Sequence, residues 1–284
     1  MKRANTFVII FFLLFGVLPL AAGLVFTLLY SLGLAGSLGE GFTLQYWHAA
    51  LRDGELWQSL ALSAAVSIAA VLLSTLAAFA VLFACRPLLE QKRVHYLLHW
   101  PLAMPPVVAA FVSFQWLGNS GVLSRVAHAL GWSADTGDFP ALINDPYYLG
   151  VLLTLLLLSF PFFLLLLLNH YRSAQMGELA QLAATLGAGA GQIRRHVAIP
   201  VLLQRMRPTL LLYFVFLFGA FEVALLLGRQ SPAMISVFIH RKFNKFNLLD
   251  LPVANVATVV YALFIVALIA AFLQLARDKN TAGT

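Results

Sequence analysis

The chain has 284 residues, of which 61% are hydrophobic and only 10% are charged. Soluble domains carry about 25% charged residues, so this composition excludes a water-soluble globular fold and makes lipid the main solvent. The net charge of +7 comes without a basic stripe of interleaved aromatic residues, so it does not indicate nucleic-acid binding, and a single cysteine, Cys85, excludes a disulfide within the chain.

Six apolar stretches are long enough to cross a bilayer, since a membrane-spanning helix needs about 20 mostly apolar residues. They are continuously apolar and do not alternate, and backbone amides in lipid must be satisfied within the segment, so each is predicted to be helical. The predicted spans are Phe7–Leu32, Leu56–Ala84, His95–Leu117, Leu149–Asn169, Thr209–Leu227 and Val253–Leu275. The chain is therefore predicted to be an all-α polytopic transmembrane helical bundle, one domain over residues 1–284 with its core in 56–275.

The first span follows Lys2 and Arg3, as a secretory signal does, but its apolar run exceeds the roughly 7–15 residues of a signal peptide, which favours a retained helix. With the N-terminus inside, twelve Lys and Arg residues lie on the inner side and six on the outer side, which predicts cytoplasmic termini. Arg241, Lys242 and Lys245 cluster on the outer side. Either earlier helices have already set the orientation, or this cluster contacts an outer partner.

The third span contains three prolines within Trp100–Val108, which remove helix hydrogen bonds and predict a kink or a break. A bent packing helix and a gate are both compatible with this pattern. His95 and His99 in the same span have the i, i+4 spacing of metal ligands, but no third ligand is evident. Val122–Leu130, in the following outer loop, predicts a short interfacial helix.

Tyr171–Arg207 is the only long polar segment on the predicted inner side. Leucines at helical spacing predict a short helix over Glu178–Leu186. Three glycines, the first of them Gly187, then permit a left-handed turn or a close backbone approach. Gln192–Ile199 is predicted to resume as helix, with Pro200 marking the transition to the next element. The segment is predicted to be a helical hairpin offered to a soluble partner. The alternative is an ordinary basic loop held at lipid headgroups.

The hairpin resembles the EAA motif of binding-protein-dependent ABC importer permeases, written E-A-A, three residues, G, nine residues, I-x-L-P. Aligned on its glycine, the motif keeps its spacing throughout, but glutamine replaces the glutamate and leucine replaces the first alanine. The matching residues are Gln181, Leu182, Ala183, Gly187, Val197, Ile199 and Pro200, with Glu178 upstream where relatives often have another acid. Two further segments are similar to the same family, the proline-rich Trp100–Val108 and the glycine-acidic Phe218–Gly228.

This resemblance implies the permease subunit of a type I, MetI-like ABC importer in a bacterial inner membrane. The hairpin would be the coupling helix, which docks into a groove of a separate ABC ATPase subunit. ATP and Mg would be held by that partner and no cofactor by this chain. A second permease subunit, identical or different, and a periplasmic solute-binding protein would complete the complex within the membrane lipid. The resemblance is to permeases for polyamines, thiamine, ferric iron or oxyanions.

Glu222 is the only acidic residue within the predicted spans. A charge at bilayer depth costs at least about 2.5 kcal/mol, so this carboxylate is expected to face protein or water. Either it lines the translocation path or contacts a cationic solute, or it makes a structural hydrogen bond or an ion pair with Arg229 or with the partner subunit. The other candidates for the path are Gly219, Ser113, Gln115, Pro105 and Pro106. The alternative for Ser113 and Gln115 is a helix–helix contact.

The sequence contains no G-x-x-x-x-G-K-[ST] loop and no constellation for catalysis, so the chain is not expected to be an enzyme or to hydrolyse ATP itself. Two other functions stay open. A secondary transporter would use proton or sodium coupling and predicts several acids within the membrane. A membrane enzyme or assembly protein predicts a catalytic cluster at one interface.

Overall fold

The computed structural model describes residues 8–36, 41–89, 91–132, 139–245, 247–248 and 250–281, with side chains as far as residue 274. Within these ranges every regular element is a helix, which confirms the predicted all-α fold. The helices are α1 Val8–Ser31, α2 Gln45–Arg52, α3 Gly54–Leu89, α4 Lys92–Ala103, α5 Pro106–Leu117, α6 Val122–Ala129, α7 Leu149–Ser173, α8 Met176–Thr185, α9 Ala190–Phe218, α10 Glu222–Leu227, α11 Ile235–Phe243 and α12 Asp250–Thr281.

Six helical stretches of the described chain are long and apolar enough to cross a membrane. They are α1, α3, the pair α5 and α6 over Pro106–Ala129, α7, α9, and the first part of α12, Asp250–Gln274. The predicted number of spans is therefore confirmed, and the short helix predicted near residue 122 is present as α6.

The third span differs from its prediction because it is divided. The predicted helix His95–Leu117 is interrupted at Met104 and Pro105, where the backbone is extended, with ψ of 123° and 142°. A proline disfavours helical backbone in the residue before it and lacks an N–H donor, so two consecutive prolines end α4 and restart the chain as α5 at Pro106. The predicted break is confirmed, and the apolar stretch that could cross a membrane starts at Pro106 rather than His95.

The predicted fifth span, Thr209–Leu227, is wrong at both ends, because α9 runs from Ala190 to Phe218 and α10 is a separate helix. Gly219 ends α9, and its N–H donates to the Val215 carbonyl at 3.3 Å. Pro200 marks the predicted transition, because the α-helical part of α9 starts at Ile199 and has this proline in its first turn. A π-helical turn over Ile193–Ala198 precedes it, and this wider turn accommodates a residue that has no N–H donor.

The contacts between helices divide the chain into two compact units, one within Met1–Leu60 and Ile235–Thr284 and one within Ala61–Met234. In the first unit, α12 packs against α1, α2 and α11. In the second unit, α7 packs against α4, α5, α9 and α10, and α5 also contacts α6 and α10. The single-domain organisation of the chain stays a prediction.

The outer basic cluster is neutralised by acidic residues of its own unit. Lys242 Nζ lies 2.8 Å from Asp53 Oδ2, and Arg241 pairs with Glu55. Lys245 Nζ lies 3.6 Å from an oxygen of Asp250. Ion pairing within the chain therefore accounts for these three neighbouring cations, two of which lie in α11.

A buried carboxylate fixes the start of α7, the helix with the most extensively buried apolar window. Asp145 is only 4% exposed and accepts hydrogen bonds from three backbone N–H groups at the beginning of the helix. The donors are Tyr147 at 3.1 Å, Leu149 at 2.9 Å and Gly150 at 3.4 Å. These N–H groups have no partner within the helix, and a negative charge at this end is favoured by the helix dipole.

Candidate functional site

The predicted hairpin is formed by α8, a glycine turn and the start of α9. Gly187 has a φ of +86°, the left-handed conformation that favours glycine. Its N–H donates to the Ala184 carbonyl at 3.0 Å, and the Ala188 N–H donates to the Ala183 carbonyl at 3.1 Å. Together these two bonds form a Schellman motif, which satisfies the free carbonyls at the end of a helix. The left-handed turn expected at Gly187 is therefore confirmed.

The chain returns to helix immediately after this turn. The Gly189 N–H donates to Oε1 of Gln192 at 3.0 Å, and the Ile193 N–H donates to the Gly189 carbonyl at 3.0 Å. The Gln192 side chain thus satisfies a donor at the start of α9 that has no partner within the helix. Both predicted arms of the hairpin are helical, over slightly different bounds.

One face of α8 is apolar and uncovered. Leu179, Leu182 and Leu186 are 41%, 64% and 82% exposed, and the neighbouring Glu178 and Gln181 are exposed as well. The helix lies between α7 and α9, outside the stretches that could cross a membrane. A contiguous apolar patch outside lipid marks an interaction site. The exposed leucine face of the hairpin therefore has the character of a docking surface.

The opposite face of the hairpin contacts the ends of α3 and α7. Met176 is buried there, and a cavity of about 250 Å³ separates the hairpin from Phe83 and Tyr171. The Arg194 guanidinium lies 5.7 Å from the centre of the Phe83 ring. Arg86 of α3 lies 4.4 Å from the centre of the Tyr171 ring and donates to its hydroxyl oxygen at 2.9 Å. The inner face of the hairpin thus lies beside the ends of α3 and α7.

The remaining motif residues divide between these two faces. Ala183, Val197 and Ile199 are half-buried, and Val197 lines the cavity against α3. Gly187 and Pro200 are exposed. The spacing of the motif therefore places its apolar end at the base of the hairpin and its glycine at the tip.

Glu222 lies in α10, outside the stretches that could cross a membrane, and not within the predicted fifth span. It is exposed in the first turn of α10, where the positive end of the helix dipole favours a carboxylate. Among the described residues it forms no ion pair, so the alternative pairing with Arg229 is not present. Glu222 lines a cavity of about 160 Å³ together with Pro106 and Gly219. The structure thus brings three of the predicted path residues together.

Two aromatic residues that the sequence reasoning missed, Tyr213 and Phe216, line the same cavity. The Tyr213 ring lies 4.7 Å and 4.8 Å from the ring centres of Phe162 and Phe163, and 5.7 Å from that of Phe216. The available signal was their spacing, because Tyr213, Phe216 and Gly219 follow one another at three-residue intervals on one helix face. A carboxylate beside aromatic faces is a combination that can bind an organic cation.

The other predicted path residues lie elsewhere. Ser113 is buried beside an apolar groove of about 450 Å³, which Thr154 also lines. Gln115 lines a separate cavity of about 480 Å³ near Asn144. Pro105 lies in the break between α4 and α5. The structure therefore does not gather all six predicted residues around one cavity.

The histidine pair of α4 has no further ligands for a metal. The rings of His95 and His99 lie 4.7 Å apart, edge to face. Nowhere in the described part of the chain do three or more His, Cys, Asp or Glu residues meet as metal ligands. Two imidazoles alone leave a zinc ion short of the four ligands of a structural site.

The sequence matches no known family model and no curated protein. The structure, in contrast, is similar to chains of solved bacterial ABC transporters. One is an alginate ABC transporter in complex with an alginate pentasaccharide-bound periplasmic protein, with a TM-score of 0.70, 17% identity, and coverage of 98% of this chain and 93% of that chain. Another is an ABC transporter involved in the import of the acidic polysaccharide alginate, with a TM-score of 0.68, 16% identity, and coverage of 98% and 94%.

At these identities the similarity establishes the fold. Over nearly its whole length, this chain has the fold of an ABC transporter chain, with helices that could cross a membrane six times.

Proposed function

We propose that this chain is the permease subunit of a type I ABC importer in a bacterial inner membrane. The observation that carries the proposal is the hairpin of α8 and α9, which presents three exposed leucines outside the candidate spans of an ABC transporter fold. An amphipathic helix of this kind binds by laying its apolar face into a groove. The groove proposed here belongs to a separate ATPase subunit, which would hold ATP and Mg.

The geometry of the hairpin supports a mechanical role. Its outer face is uncovered, while its inner face contacts α3 and α7 through Arg194 and Met176. Closure of an ATPase pair around the hairpin would therefore move the ends of α3 and α7. Because α7 packs against α4, α5, α9 and α10, this movement would reach the helices around the Glu222 cavity and produce alternating access.

The remaining partners follow from the same proposal. A second permease subunit, identical or different, would complete the path, and an external binding protein would deliver the solute. One similar structure contains an alginate pentasaccharide-bound periplasmic protein, which supports a binding-protein partner for this chain.

The solute is a separate part of the proposal. Glu222 with Tyr213 and Phe216 favours a small cationic solute, such as a polyamine or thiamine, because a carboxylate and aromatic faces attract positive charge. The structures compared above concern alginate, an acidic polysaccharide, so they lend no support to a small solute. A polyanion would be repelled by the carboxylate of Glu222.

The proposal is tested by isolating the tagged chain from its own cells in mild detergent. We expect it to bring down a protein whose peptides contain a G-x-x-x-x-G-K-[ST] loop. The variant pair Leu182→Glu and Leu186→Glu places charges on the apolar face and is expected to lower the yield of this ATPase at least about tenfold.

The matched control is Leu130→Glu. Leu130 is also an exposed leucine, at 58%, but it directly follows α6 and is far from the hairpin in sequence. It is expected to keep the ATPase. Solute uptake by the purified chain alone in liposomes without ATP would overturn the proposal in favour of a secondary transporter.

A further inference from the structure

A polar cavity lies between α4 and α7, separate from both the hairpin and the Glu222 cavity. Its volume is about 320 Å³, and its lining residues are His95, His99, Leu165, Leu168, Asn169 and Arg172. Small-molecule sites have volumes of roughly 300–1,000 Å³, so this space is large enough for a polar group. We infer that this α4/α7 cavity binds a phosphate group, with an anionic phospholipid as its source.

The polar lining consists of donors suited to phosphate. Arg172 supplies a planar fork of N–H groups, which matches two oxygens of a phosphate, and Asn169 adds an amide N–H₂ group. Nδ1 of His99 lies 2.7 Å from the carbonyl oxygen of His95 and donates to it. This bond fixes the His99 ring and leaves its Nε2 for another partner.

Positive charge around the cavity has no carboxylate to balance it on either helix. Neither α4 nor α7 contains Asp or Glu, while α4 begins with Lys92 and Arg93 and α7 ends with His170 and Arg172. Within the described residues Arg172 forms no ion pair, in contrast to the neutralised basic cluster around Lys242. Uncompensated cations at a membrane surface attract anions, and basic pockets between membrane helices bind lipid headgroups.

Along α7 the cavity has a charged end and an apolar end, as a phospholipid has a charged headgroup and apolar acyl chains. Arg172 lies in the last turn of the helix, and Leu165 lies seven residues earlier, about 10 Å deeper along the axis. The cavity is therefore charged at the helix end and apolar toward the middle of the candidate span. That end adjoins the hairpin and is the one that the distribution of Lys and Arg predicts to be cytoplasmic. A free phosphate ion has no apolar part that could contact the leucine side chains of this cavity.

The experiment uses the full chain in nanodiscs of dioleoylphosphatidylcholine with a minor share of dioleoylphosphatidylglycerol. Native mass spectrometry then counts the phosphatidylglycerol molecules that the chain retains. Arg172→Gln is expected to lower retention about tenfold, because a charge-assisted hydrogen bond is lost. Arg93→Gln is the matched control, since Arg93 is exposed on α4 but does not line the cavity, and it is expected to retain lipid normally.

A second variant distinguishes the two sources of phosphate. Leu165→Trp fills the apolar end of the cavity, so it is expected to lower retention of phosphatidylglycerol while leaving Arg172 in place. Titration with inorganic phosphate in discs of phosphatidylcholine alone is expected to give no binding. Binding of inorganic phosphate that depends on Arg172 and displaces phosphatidylglycerol would overturn the lipid source. Equal retention by the unmodified chain, Arg172→Gln and Arg93→Gln would overturn the site itself.

Discussion

Lys242 and Asp53 form an ion pair, with the lysine Nζ 2.8 Å from the carboxylate Oδ2. Burial by itself raises the pKa of Asp53. Its hydrogen bonds from Lys242 and from the Glu55 N–H, together with the positive charges of Lys242 and Lys245, outweigh this effect and leave the pKa below its usual 3.8. The pair joins the residue before α3 to the last turn of α11.

We therefore expect Lys242→Met to lower stability by about 1 kcal/mol at neutral pH, since the pair is only partly exposed. Because the folded pKa of Asp53 is depressed, its contribution is present above the unfolded pKa and is lost as pH falls through the folded pKa. Thermal unfolding in detergent should be followed from about pH 7 to about pH 3. The difference in unfolding midpoint between the unmodified chain and Lys242→Met should become smaller in acid. Lys245→Met, whose pair is longer and more exposed, should have a smaller effect. A difference independent of pH would contradict the assignment.

Gly150→Ala is expected to destabilise the start of α7. A Cβ at Gly150 would lie 2.0 Å from the carbonyl oxygen of Leu142, and the Gly150 N–H is already donated to Asp145. Relief of this overlap requires a backbone shift, which costs about 1–3 kcal/mol. The measurement is the unfolding midpoint in detergent. Gly177→Ala in α8, where no atom lies within 4 Å of the new Cβ, is the control and should unfold no earlier than the unmodified chain. Equal midpoints for all three proteins would count against the close approach.

The sequence predicts the spans and the hairpin because both depend on local properties. Bilayer thickness sets the length of an apolar run, and a helix-forming segment ended by Gly187 predicts a left-handed cap wherever it occurs. The end of α9 was not predictable in this way. The sequence stays apolar from Thr209 through Leu227. A hydropathy average over this segment therefore gives no sign that the helix ends at Gly219.

Tertiary relationships account for the rest of what the sequence could not predict. Asp145 was recognisable only as an acid in an outer loop, and its role as a cap depends on how the chain enters α7. Tyr213 and Phe216 are ordinary residues of an apolar span until packing against Phe162 and Phe163 places them beside Glu222. Of the predicted path residues, only Pro106, Gly219 and Glu222 share a cavity, because α5 packs against α10.

Glu222→Gln is expected to reduce uptake of a cationic solute without affecting the fold. The side chain is exposed and forms no ion pair among the described residues, so stability should change by less than about 0.5 kcal/mol. Uptake of radiolabelled putrescine and thiamine into vesicles that contain the assembled complex should fall about tenfold, whereas Glu222→Asp should keep most of the activity.

A Glu222→Leu variant with full transport and full assembly would exclude both a role in the path and a structural role for this carboxylate. Loss of assembly with Glu222→Gln, at unchanged stability of the chain, would instead point to a contact with the second permease subunit.

Gly187→Ala is expected to weaken the hairpin through backbone strain alone. No atom lies within 4 Å of the position of the new Cβ, so the cost arises from the positive φ and amounts to about 1 kcal/mol. Gly191→Ala is the matched control. It also meets no atom within 4 Å, but it lies in the first turn of α9, where alanine favours helix. Hydrogen exchange at the Gly187 and Ala188 amides, which close the Schellman motif, should be about fivefold faster in Gly187→Ala and no faster in Gly191→Ala.

The same pair of variants connects the turn to the proposed coupling. If an ATPase subunit binds the leucine face of the hairpin, Gly187→Ala should lower solute transport more than it lowers ATP hydrolysis by the assembled complex, because a loosened turn transmits less of the movement to α3 and α7. Gly191→Ala should leave the ratio of transport to hydrolysis unchanged. A normal ratio in Gly187→Ala despite faster exchange would show that the turn does not transmit the movement, and would leave the direct connection from α8 to α7 as its route.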